Sequence, residues 1–153
     1  MSWLALLIKI PDAFVSINDI PNDFVPEPLG SRDVVLTILA DVFPDANFAD
    51  STWVQVDRKN YVIELMVGNE EPVESLGFRP HGDDTVIEAL QLLCAQTGWR
   101  AYDTSSGDFI NFATNPAQGF QAWRTYAQRV IGPSFDPRGV PIPIPERLAT
   151  PSA

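Results

Sequence analysis

The sequence predicts an α+β fold: an antiparallel sheet of about four to five strands, about three helices packed on one face of it, and a Pro-rich C-terminal tail. Three observations lead there. Apolar residues recur at three- and four-residue steps near 31–43, 83–97 and 117–131, the period of a helix with one buried side. Shorter runs at about 52–57, 61–67, 73–79 and 99–103 are β-branched or aromatic-rich and mostly alternate apolar with polar residues, the period of a half-buried strand. The connections after Asp57 and Val67 are short, which makes the strands they join antiparallel. The helical stripes then need a common partner, and a sheet face supplies one.

In chain order, Ser2 to Ile10 reads as a buried strand carrying Trp3, Leu4, Leu6, Leu7, Ile8 and Ile10. A short amphipathic helix competes, since so short a run has no decisive period. Pro11 to Gly30 holds Pro11, Pro21, Pro26 and Pro28 and is a loop, with Phe14, Val15, Ile17, Ile20 and Phe24 pinning it to the body. Ser31 caps the first helix, Asp33 favours its N-terminal dipole, and Val34, Val35, Ile38, Leu39 and Val42 form its buried stripe. Pro44 stops it. The strands 52–57 and 61–67 follow, joined at Arg58–Asn60. A turn at 68–72 leads to the strand 73–79, and Pro80-His81-Gly82 leads into the second helix.

That helix is the clearest element. Asp83 or Asp84 caps it, Val86, Ile87, Leu90, Leu93, Cys94 and Thr97 share one face, and Gly98 ends it in the left-handed conformation. Trp99 to Asp103 is a strand, Thr104–Gly107 a hairpin-type turn, and 108–112 a further short strand. Pro116 opens the last helix near its first turn, with Phe120, Trp123, Ala127, Val130 and Ile131 on its apolar side. The chain divides into a single α+β domain, 1–132, and an extended tail, 133–153. Val140-Pro141-Ile142-Pro143-Ile144-Pro145 fixes a polyproline-like run there. The tail is either disordered or docked along the domain, and its alternating aliphatics favour docking.

The 153 residues suit one domain, and 45% apolar content suffices for a core. Twenty acidic residues against ten Lys and Arg give a charge of −10. That repels phosphate backbones and anionic lipid heads, so nucleic acid and membrane are not expected as partners. The plainer reading is that such a charge keeps the protein soluble; it would also speed encounter with a basic protein. The charge is uneven: Pro11 to Thr52 carries eight acids and one base, whereas Asn111 to the end carries four arginines and two acids. The apolar start is short and interrupted by Lys9 and Pro11, so neither a signal peptide nor a membrane span is expected. A cytoplasmic location is the default.

No catalytic signature stands out, and no cofactor or metal is expected. His81 is the lone histidine, without a second His or Cys nearby. Cys94, the lone cysteine, lies on an apolar helix face and reads as a packed thiol. The Thr104–Gly107 stretch lacks the glycine spacing and lysine of a phosphate loop. Glu64, Glu74 and Glu88 would have to converge to act as a carboxylate pair; Glu64 is read as facing solvent. Arg79, Arg100, Arg124 and Arg129 are most simply partners for the acids. Trp53, sharing a strand face with Gln55 and Asp57, is a candidate contact anchor among acids, although a core position is the commoner place for a tryptophan.

From Pro72 to Ile110 the runs Pro72-Val73-Glu74-Ser75-Leu76-Gly77-Phe78-Arg79, Leu92-Leu93-Cys94, Thr97-Gly98-Trp99-Arg100-Ala101-Tyr102-Asp103 and Gly107-Asp108-Phe109-Ile110 resemble a group of small proteobacterial proteins. Some of these look like immunity partners of secreted antibacterial toxins. The likeness covers about a quarter of the chain, and its motifs are structural. Together with the −10 charge and the lack of a catalytic constellation, it leads to the expectation of a non-enzymatic acidic protein that occludes a basic toxin, with no functional residue carried over from the likeness. The expected contacts are Asp45, Asp50, Trp53, Asp57, Glu70 and Glu71, at turns and strand ends. The alternatives are an assembly subunit that oligomerises through its Pro-rich arm, and an enzyme with a site around His81, Arg100 and Glu88.

Overall fold

The computed structural model describes residues 3–113 and 116–131, the last six of these by backbone alone. Among them, six strands form one antiparallel sheet. They are β1 (Ala5–Ile8), β2 (Trp53–Asp57), β3 (Tyr61–Met66), β4 (Leu76–Gly82), β5 (Arg100–Asp103) and β6 (Asp108–Phe109). Their order is β2-β3-β4-β1-β5-β6. The helices are α1 (Arg32–Val42), α2 (Val86–Thr97) and α3 (Gln118–Ile131). The fold class is as expected, with more strands than the four to five anticipated. The Pro-rich tail and the boundary at 132 lie outside the described residues.

The N-terminal run is a strand, and it lies inside the sheet rather than beside it. β1 pairs with β4 (Ala5↔Phe78, Leu7↔Leu76) and with β5 (Ala5↔Asp103, Leu7↔Ala101). A strand paired on both sides and covered on one face buries alternate residues, and Trp3, Ala5 and Leu7 are buried.

β4 is shifted from the expected 73–79. Val73 makes only an isolated bridge to Gly30, and the strand runs on through Pro80 and His81 to Gly82. The expected strand stops at Arg79, before Pro80. However, β1 pairs with β4 only as far as Phe78. Beyond that point β4 has β3 on one side alone, and an edge accepts a residue without an N–H.

The helices cover one face of the sheet. Val54, Val56, Ile63, Leu65, Leu76, Phe78 and Ala101 form one buried cluster with Val35, Leu39 and Val42 of α1, Leu90 and Leu93 of α2, and Phe120 of α3. Ser31 caps α1 as expected, its Oγ accepting from Val34 N at 3.2 Å. Val34 itself is half exposed and not part of the stripe. α2 starts at Val86, three residues later than expected, and neither aspartate caps it. The Asp83 carboxylate instead accepts from Thr85 N at 3.0 Å, an Asx turn before the helix. Asp84 pairs with Arg124 of α3 at 2.8 Å. Gly98, at φ 77°, ends α2 as expected. Burial raises the Cys94 thiol to about 12, in keeping with a packed side chain.

The loop between β1 and α1 is fastened at one end of the sheet. Arg100 donates to the carbonyls of Pro11 and Phe14, and Asp108 accepts from Ser16 Oγ and Ile17 N. Phe14 meets Phe24 edge-on. Val15, expected to pin the loop, is exposed: the anchoring is done by hydrogen bonds and the phenylalanine pair.

Candidate functional site

The sheet face away from the helices carries the side chains at alternate positions. Register builds it row by row. Trp53, Met66, Gly77 and Leu6 form one row, and Gln55, Glu64 and Arg79 the next; Asp57, Val62 and His81 form a third. Neighbours within and between rows lie close enough for side chains to meet.

Four of them do. Glu64 is the hub. Its Oε2 lies 2.6 Å from His81 Nε2 and 3.9 Å from Arg79 NH1, and its Oε1 accepts from Trp53 Nε1 at 3.2 Å. The Arg79 guanidinium also lies over the Trp53 ring, 5.6 Å from its centre. The expectation that Glu64 simply faces solvent is therefore corrected: it is part-buried and shared by three side chains. Such a carboxylate is satisfied by charge-assisted bonds, and it fixes the angle at which Trp53 stands on the sheet.

The six expected contact residues fall at both ends of β2. Asp50, Trp53, Glu70 and Glu71 lie at its start, and Asp45 and Asp57 at its end; five residues of strand separate the ends by roughly 13 Å. Asp45 is held by Arg58, Nε to Oδ2 at 3.0 Å and NH2 to Oδ1 at 2.7 Å, which keeps its carboxyl below the usual range. Asp50 closes a turn, accepting from Thr52 Oγ1 at 2.6 Å and Thr52 N at 2.9 Å, and is likewise lowered by those bonds. Glu71 accepts from Arg32 N at 3.2 Å in the first turn of α1, where an anion suits the dipole. Glu70 is exposed, and Asp57 closes β2.

The enzyme-like trio does not meet. His81 is engaged by Glu64, Arg100 is at the loop anchor and stacks over Phe109 at 4.3 Å, and Glu88 is exposed on α2, across the sheet. Arg79 and Arg124 pair with acids as expected; the Arg129 side chain lies outside the described residues. No group of three or more metal-ligating side chains occurs among the described residues, and no helix there is long and apolar enough to cross a membrane.

Sequence reasoning missed Glu64, Arg79 and His81 as a unit. Arg79 and His81 stand two apart, which on a strand places them on one face. The intervening Pro80 hid that strand.

Trp53 also borders an open groove of about 480 Å³, framed by the end of β3 and the turn after it. Trp53, Met66, Gly68, Glu70, Val73 and Glu74 line it. Compared with family models, curated proteins and solved structures, the chain matches none.

Proposed function

We propose that this chain is a non-enzymatic binding protein that captures a basic protein on the Trp53 side of its sheet, and that it serves as an immunity-type inhibitor by covering a basic toxin. One observation carries the reading. Trp53 is 41% exposed on an edge strand, set in place by Glu64 and Arg79, with acidic residues at both ends of that strand. The −10 charge draws in a basic partner. An exposed aromatic whose orientation is already set then loses little entropy when the partner buries it. Asp45 and Asp50 are ionised well into mild acid, because their hydrogen bonds hold them below the usual carboxylate range.

The test is capture by the tagged chain from the cells it comes from, followed by work on the purified pair. The expected partner is basic, binds directly, and loses at least about tenfold in affinity to Trp53→Ala, the usual scale for a central aromatic anchor. Made alone it arrests growth, and co-expression of this chain restores growth. A purified partner that is acidic, or one indifferent to Trp53→Ala, overturns the binding reading. A basic partner with no toxicity overturns the immunity role.

A further inference from the structure

We infer that the groove beside Trp53 is a seat for an arginine side chain of the partner protein. This rests on the reading that the partner is basic, and adds which group it inserts and where.

The walls are mixed, and their apolar members Trp53, Met66 and Val73 are set in place. Trp53 is fixed from one side by Glu64 and Arg79. Met66 lies across Gly77, where a Cβ would collide with its terminal methyl. Val73, buried, is tied to Gly30 by a backbone bond of 2.8 Å. The rim is acidic: Glu70 and Glu74 are both exposed, and no Lys or Arg is among the described residues that line the groove. Glu71, next in the chain, is turned to Arg32 N instead.

An arginine fits these features together. Its methylene stem suits a thioether and an aliphatic wall. Its planar guanidinium stacks on an indole and offers a fork of donors to carboxylates. The Trp53 ring already takes one guanidinium, that of Arg79. Two native cations are near enough to oppose a third. Arg79 is paired with Glu64, and Arg32 donates to the carbonyls of Gly68 and Ser51. Glu70 and Glu74 then supply the two negative charges that favour an incoming cation. A lysine brings a compact charge without the plane, so it gains less from the indole.

The probe is blocked arginine (N-acetyl-arginine methylamide), titrated into the full ¹⁵N-labelled chain, with blocked lysine alongside. The Trp53 indole N–H and the backbone amides of Gly68, Asn69, Glu70 and Glu74 are expected to shift saturably. Arginine should bind at least about threefold more tightly than lysine. The double variant Glu70→Gln/Glu74→Gln should weaken arginine by roughly fivefold. Asp12→Asn/Asp23→Asn, which removes the same charge from the distant loop, should leave it unchanged. Equal response to both probes, shifts spread over the acidic surface, or equal weakening by the two double variants overturns the inference. If a basic toxin is captured and neutralised while blocked arginine leaves these amides unmoved, this inference fails alone. If arginine seats here and the captured partner is acidic, the functional reading fails alone.

Discussion

Asp103 is buried at 5% exposure, and its partners explain how that is tolerated. Its Oδ1 accepts from Trp3 Nε1 at 3.0 Å, Ser105 N at 2.8 Å and Ser105 Oγ at 2.7 Å. One carboxylate thus joins the start of β1, the end of β5 and the β5–β6 turn. The backbone of α3 closes over it at Gly119, where any Cβ would strike the carboxylate. Asp103→Ala leaves a buried indole N–H and a backbone N–H unpaired, and should cost about 2–4 kcal/mol in urea unfolding. Asp103→Asn keeps one carbonyl acceptor and should lose less; equal losses would show that charge, not hydrogen bonding, dominates. Such a residue is hard to read from sequence, because Trp3 is 100 positions away. Glu64 shows the same limit: its alternation gave the correct face, but its partners come from two other strands.

Among the elements, those with a strong local period were legible. α1 with its Ser31 cap, the body of α2 with its Gly98 stop, and the β2–β3 hairpin all follow from local pattern. The errors came where neighbours overrode it. The run at β1 has the apolar content of a strand, but its place inside the sheet depends on pairing to β4 and β5 that spans most of the chain. Local pattern ends β4 before Pro80, since nothing local says that β1 stops pairing at Phe78. The β1–α1 loop follows the same rule, fastened through Asp108 far along the chain. That attachment is acid-sensitive in a defined sense. The Ile17 N–H, and then Ser16, hold the Asp108 carboxyl below its ordinary value of 3.8. The folded state therefore binds this proton more weakly than the unfolded one. Its contribution is full above about pH 4 and is lost as the pH falls through the lowered value. Hydrogen exchange at the Ile17 amide should rise between pH 4 and pH 2 beyond the intrinsic change in exchange chemistry. Asp108→Asn should show raised exchange already at neutral pH. Protection at Ile17 that is unaltered by acid or by the substitution would refute the attachment.

On the scale of the whole molecule, charge and shape act at different stages of the proposed encounter. The charge of −10 acts over distance, within a screening length of about 8 Å at physiological salt. Trp53 and the groove act only on contact. The two contributions should therefore separate kinetically. Raising salt from 50 to 500 mM should slow association with the basic partner by at least about tenfold while changing dissociation by less than about threefold. Trp53→Ala should do the reverse, accelerating dissociation and leaving association within about threefold. Stopped-flow or surface-binding kinetics on the full chain distinguish these. Salt acting chiefly on dissociation would mean that the acids are buried in the interface rather than steering toward it. The decisive contacts would then include Asp45 and Asp50, whose carboxylates are already engaged by Arg58 and Thr52. A carboxylate offers roughly four acceptor sites, so both can still accept from a partner beside those bonds, and Glu70 and Glu74 stand exposed at the groove.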